Sequence, residues 1–213
     1  MAHIENSPQL WNKLWGRSFS RLPLNYPIES LIRRIFYFSA FDDLLDSFSF
    51  FNKDILELGS GTGNHSLYFA RRHQAKSVTL LDFSEAVLAK VDSSRFPCPV
   101  VKLHQDMLAF NPNVQYDFVH STGVIEHFVG DQRLRVVQIH ADCTKQGGLV
   151  MIWVPVRSLA FAVIGRVNRW VGIQEIPFTK DELRKMVVQC GLEIIRENHS
   201  VGGAIFGILA RKL

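Results

Sequence analysis

Asp54-Ile-Leu-Glu-Leu-Gly-Ser-Gly-Thr-Gly63 decides the fold. Its first half is a short apolar run, the profile of a strand covered on both faces. Its second half places glycines at 59, 61 and 63. Glycine tolerates backbone angles that side chains forbid, and it lets another molecule approach the main chain closely. Residues 64–72 then set Leu67, Phe69 and Ala70 along one side of a helix. Strand, glycine turn and helix in this order open a βαβ unit whose turn is built to hold a ligand.

The spacing narrows the ligand. A dinucleotide site needs G-x-G-x-x-G, whose third glycine packs helix on strand. The position that glycine would take is Asn64 counted from Gly59, or Ser66 counted from Gly61. No Gly-Lys-Ser/Thr follows, so a phosphate-cradling loop is not spelled out either.

Further apolar runs lie downstream at 78–81, at Val100, Val101 and Leu103, at Phe118-Val119 and at 149–154. Helical patterns fall between them. Ser84 suits the N-cap of a helix over 85–91. Leu134, Val137, Ile139 and Ala141 predict another helix, closed by Gly147-Gly148. Thr179 with Glu182 spells a capping box for a helix ending near Gly191. Alternation of this kind means right-handed crossovers and a mainly parallel sheet. Residues 192–197 and 204–210, with Gly202-Gly203 between them, predict a closing antiparallel hairpin. Upstream, residues 26–48 read as a helix with Pro27 in its first turn. The expectation is one α/β domain over 1–213: a Rossmann-like, doubly wound, mainly parallel seven-stranded sheet with helices on both faces. Residues 1–50 form an N-terminal helical cap and residues 156–178 a helical insert.

From Asp54 onward the chain resembles class I S-adenosylmethionine-dependent methyltransferases of the small-molecule branch. The likeness is carried in order by Glu57-Leu-Gly-Ser-Gly-Thr-Gly63, Leu80-Leu-Asp-Phe-Ser84, Gln105-Asp-Met107, Tyr116-Asp-Phe-Val-His-Ser121, Gly123-Val-Ile-Glu-His-Phe128, Gln146-Gly-Gly-Leu-Val150, and Phe178-Thr-Lys-Asp-Glu-Leu183 through Leu192. The resemblance implies S-adenosylmethionine as cofactor. It also implies a binding set of Glu57, Gly59, Ser60, Gly61, Gly63, Asp82, Phe83, Asp106, Met107 and Ser121. Within that set Glu57 helps to hold the methionine amine and Asp82 accepts from the ribose hydroxyls. Asp106 takes the adenine amino group and Met107 covers the ring.

A sulfonium is already a good leaving group, so such a site works mainly by aligning the acceptor with it. A hydroxyl or acidic carbon must also lose a proton. His127 is the expected catalytic base, since its ordinary pKa lies near neutrality and it follows the fourth strand; Glu126 is the alternative. His65, just past the glycines, is expected to face the helix surface.

Totals bound the rest. The chain has 213 residues, a formal net charge of +4 and no long basic run, so stable nucleic-acid binding is not expected. Cys98, Cys143 and Cys190 are scattered and form no CxxC, which speaks against a metal site or disulfides and for free thiols in a cytoplasmic protein. No basic-then-apolar leader opens the chain, and no run is long enough to span a bilayer. The Asn/Asp-Pro-Pro-aromatic signature of nucleobase-amine methylation is missing after the fourth strand, where Ser121-Thr-Gly-Val124 stands. Pro97-Cys98-Pro99 precedes the third strand and reads as a turn.

The expected acceptor is therefore a small apolar or amphipathic molecule. An RNA or protein acceptor is the alternative, and a non-catalytic donor-binding module is a third reading. The insert carries an amphipathic basic pattern over 156–171, suited to a lid or to weak contact with an anionic membrane surface. Oligomeric state is not legible.

Overall fold

The computed structural model describes residues 7–16, 37–162 and 175–213. Its elements run α1 (Pro8–Gly16), α2 (Ser39–Leu45), β1 (Asp54–Leu58), α3 (Asn64–His73), β2 (Ser77–Asp82), α4 (Glu85–Leu88), β3 (Val100–His104), β4 (Tyr116–Thr122), α5 (Asp131–Cys143), β5 (Thr144–Pro155), α6 (Lys180–Gln189), β6 (Leu192–His199) and β7 (Ile205–Lys212). Seven strands form one sheet in the order β3-β2-β1-β4-β5-β7-β6. Strands β1 to β5 pair in parallel, and β7 slots antiparallel between β5 and β6. The expected Rossmann-like sheet and closing hairpin are thus what the chain forms.

This order fixes where a ligand can sit. The chain steps outward from β1 to β3, then returns to lay β4 on the other side of β1. Such a reversal leaves a crevice at the C-terminal ends of β1 and β4. Strand alternation supplies two cores, one on each face. Leu56, Leu58 and Val119 meet Val136 and Val137 of α5 and Leu183 and Val187 of α6. Ile55 and Phe118 meet Phe41 and Leu44 of α2 and Phe69 of α3.

Several local expectations need correction. Helix α5 is not closed by Gly147-Gly148: it passes directly into β5 at Thr144, and the glycines fall inside β5 where its register against β4 shifts. Gly148 has no room for a side chain, since a Cβ would lie 2.8 Å from the Lys145 carbonyl oxygen. Strand β3 is a sheet edge and half-exposed, so it is not covered on both faces. The helix expected over 85–91 ends as an α-helix at Leu88, although Ser84 does cap it by accepting from Val87 N–H. Of the helix expected over 26–48, the α-helical part among the described residues is Ser39–Leu45; residues 26–36 lie outside them. The capping box at Thr179 and Glu182 forms in full. No helix among the described residues is long and apolar enough to cross a membrane.

Two histidines are buried on strand and helix. His140 of α5 must donate from Nδ1 to the Val136 carbonyl at 2.7 Å, so its Nε2 accepts from the Ser121 hydroxyl at 2.8 Å. His120 of β4 has Nε2 2.9 Å from Ser66 Oγ. Burial pushes both imidazoles down to about 4; Glu57 opposes this for His120, and the Val136 carbonyl opposes it for His140.

An unfolded chain protonates these rings near pH 6.5, whereas the folded one resists until about 4. Stability is therefore full above pH 6.5 and falls as pH drops through that window, by on the order of 3 kcal/mol per ring. Thermal midpoints measured between pH 7 and 4 should fall steadily, and less steeply in His140→Gln. A flat profile in the wild type would contradict this.

Candidate active site

The turn is left-handed at each of its three glycines: φ is +65° at Gly59, +52° at Gly61 and +69° at Gly63. Side chains are excluded there twice over. A Cβ on Gly59 would lie 2.7 Å from Val124 Cγ2, and one on Gly63 would lie 2.7 Å from Leu80 Cδ1. The turn after β1 thus presses against the turn after β4, at the mouth of the crevice.

Asp82 ends β2 with its carboxylate buried. Gly61 N–H donates to Oδ2 at 2.9 Å, and Ser84 N–H donates to Oδ1 at 2.9 Å. Burial nonetheless holds this acid above the ordinary carboxylate range, against the pull of those two amides. Phe83 is half-buried, and its carbonyl lies 3.2 Å from His104 Nε2. Ser60 Oγ is buried and has no hydrogen-bond partner among the described residues.

Glu57 points to the α3 face of the sheet. Ser66 N–H, in the first turn of α3, donates to its Oε2 at 3.3 Å, and His65 Nδ1 lies 3.5 Å from Oε1. Burial raises this carboxyl, but His120, His65 and the Ser66 amide outweigh it, and Glu57 stays below its ordinary value. His65 therefore does not face the helix surface. It turns inward onto Glu57 and packs against Tyr37, Phe38 and Phe41.

Asp106 and Met107 sit in a short turn after β3. Asp106 is exposed and caps the turn by accepting from Leu108 N–H at 2.9 Å, which leaves its second carboxylate oxygen. Met107 is buried in the core. The Ser121 hydroxyl is bonded to His140 Nε2 at 2.8 Å, which ties α5 to β4.

Beyond β4 lie Glu126 and His127, both buried. Burial pushes Glu126 up to about 8, with the negative Glu175 adding to the rise. Trp11 of α1 packs edge-on to His127, with ring centroids 4.9 Å apart. Asn12 of the same helix accepts from the Ser84 hydroxyl at 2.6 Å. One helical turn of α1 thus spans both lips of the crevice.

Arg133 of α5 braces the far lip. It donates to the Phe128 carbonyl at 2.9 Å, to Glu182 at 2.7 Å and to the Ile176 carbonyl, and it lies over the Phe178 ring.

Residues 31–197 match a protein family described as a methyltransferase domain. The chain belongs to that family. No curated protein sequence matches it. Solved structures share its fold at low identity. Magnesium protoporphyrin IX methyltransferase from Synechocystis PCC 6803, with bound S-adenosylhomocysteine, is 15% identical with a TM-score of 0.67; the match covers 96% of this chain and 93% of that one. The N-methyltransferase NodS from Bradyrhizobium japonicum WM9, also with S-adenosylhomocysteine, is 14% identical with a TM-score of 0.69, covering 98% and 99%. A structure described as a complex between the Haloferax volcanii Trm112 methyltransferase activator and the putative methyltransferase is 11% identical with a TM-score of 0.72, covering 99% of both chains.

Arg133 ties the turn after β4 to residues 176–182. Arg133→Met keeps the apolar stem but strands Glu182 and two carbonyls. It should cost about 2 kcal/mol or more of unfolding free energy in urea. Amide exchange over 124–128 should also rise. Wild-type exchange there would show that the turn is held by something else.

Proposed function

We propose that this methyltransferase carries the methyl group of S-adenosylmethionine to a small apolar or amphipathic acceptor bound beneath α1. The observation that supports this best is the contact pair from α1: Trp11 on His127 and Asn12 on Ser84. It roofs the crevice with an aromatic side chain and leaves the glycine turn below.

The residues present fit the donor. The left-handed glycines expose main chain at the crevice. The two amides on Asp82 leave further lone pairs on its carboxylate for ribose hydroxyls. Glu57 supplies a buried negative charge for an amine. When bound, the donor supplies an electrophilic methyl group on a sulfonium centre. Around it, Met107 offers an apolar surface to the adenine and Asp106 its second oxygen to the exocyclic amine.

The acceptor enters on the other lip. There His127 and Glu126 meet the acceptor atom and take part in removing its proton, while Trp11 excludes water. Excluding water and fixing the approach angle are the two contributions such a transfer needs most. The formal net charge of +4 is too mild to favour a nucleic-acid acceptor over a small one. The scattered free thiols remain the reason to propose a cytoplasmic location.

Calorimetry tests the donor half. Asp82→Ala removes charge-assisted hydrogen bonds to the ribose and should weaken S-adenosylmethionine binding by about tenfold or more. Unchanged affinity would make Asp82 purely a brace for the glycine turn.

Kinetics test the acceptor half. Trp11→Ala should raise the acceptor KM several-fold while donor affinity stays within about twofold. Turnover confined to bulk RNA or protein, with none on a panel of small acceptors, would overturn the acceptor class.

A further inference from the structure

Three side chains from two distant stretches converge on the acceptor lip. Glu126 and His127 follow β4, and Glu175 arrives from the far end of the insert. One ligand atom from each lies within 4.8 Å of the others. Main chain locks the two stretches together: Ile176 N–H donates to the Glu126 carbonyl at 3.0 Å, and Arg133 reaches both the Phe128 and Ile176 carbonyls.

Glu126 is the telling member. It is 2% exposed, and its Oε2 has no hydrogen-bond partner among the described residues. A buried carboxylate oxygen without a partner is costly, and an unfilled one calls for an explanation. The nearby guanidinium of Arg133 does not supply it, since that group is spent on Glu182 and two carbonyls.

We propose that Glu126, His127 and Glu175 bind a divalent first-row cation of the zinc or manganese kind. The ligand chemistry selects that class. One imidazole and two carboxylates, with no thiolate, suit a borderline cation, whereas magnesium prefers oxygen alone. Ligands on zinc stand about 2.0–2.2 Å from the metal. The three ligand atoms, within 4.8 Å of one another, would draw onto one ion by side-chain rotation.

Three protein ligands leave a coordination position open, which is the pattern of a working site and not of a closed structural one. An oxygen acceptor, a hydroxyl or enol, is the class that would take it. With Glu126 and His127 engaged on the cation they no longer take the acceptor's proton directly, and it leaves to water. The oxygen lone pair then forms the bond to the methyl carbon, and the carbon–sulfur pair returns to sulfur, leaving a neutral thioether. The existence of the site is independent of the methyl-transfer reading; only this use of it rests on that reading.

The test is calorimetric titration of the full chain, stripped with a chelator, using Zn2+ and, in parallel, Mg2+. The proposal expects one Zn2+ per chain, with much weaker Mg2+ binding. Glu126→Gln and Glu175→Gln should each lower Zn2+ affinity at least about tenfold while binding S-adenosylmethionine as the wild type does. Glu175→Gln removes a charge outside the core, so it remains informative if the buried substitution unfolds the chain. Absence of stoichiometric Zn2+ binding, or equal binding in wild type and the Glu175 variant, overturns the site. Donor binding without Zn2+ binding overturns the metal alone. Zn2+ binding without donor binding overturns the methyl-transfer reading and leaves the metal.

Discussion

Two backbone amides share one carboxylate at the centre of this fold. Gly61 and Ser84 both donate to Asp82, so a single side chain ties the turn after β1 to the turn after β2. Everything at the crevice follows from that tie. The glycine turn can keep its left-handed angles because its middle amide is anchored. Ser84, held on the other oxygen, caps α4 and presents its hydroxyl to Asn12 of α1. The roof over the site is thus joined to the floor through one acid. Main-chain donors can hold Asp82 without exhausting it, since a carboxylate offers about four lone-pair sites.

The charges around the crevice are arranged by depth. Glu57, although fully buried, is held below its ordinary range by His120, His65 and Ser66. Glu126 is pushed the other way by burial and by Glu175. The two acids flank the switch point of the sheet, one at the end of β1 and one in the turn after β4. An anionic floor suits a donor that carries both a sulfonium and an ammonium. A poorly solvated acid on the opposite lip suits a cation or a proton. Similar residues acquire different roles here because the sheet gives them different neighbours.

Local chemistry was legible in the sequence, and tertiary partnership was not. The glycine turn, the acid at the end of β2, the Ser84 cap and the capping box at Thr179 each depend on residues a few positions apart. All stand where the sequence puts them. His65 was misread because its partner, Glu57, lies across the turn on another element. The bond from Ser121 to His140, nineteen residues on, is equally invisible in local spacing. Gly147 and Gly148 resemble a helix stop, yet close approach of the Lys145 and Asp117 carbonyls explains Gly148 instead. Glu175, Arg133 and Trp11 left no trace in spacing at all. His120 did leave one, as a polar residue inside an apolar strand run, and that is the pattern of a buried network. Of the helix pattern over 156–171, residues 163–171 lie outside the described residues. The first turn of that pattern is present, with Ser158 Oγ accepting from Phe161 N–H at 3.1 Å.

A crystal structure of the protein with S-adenosylhomocysteine would test the central claim most directly. The account predicts the nucleoside on the Gly59 to Gly63 turn with ribose hydroxyls on Asp82, the amino group toward Glu57, and the sulfur facing the lip that carries His127 and Trp11. Density for the ligand anywhere else, or a sulfur turned away from His127, would contradict it.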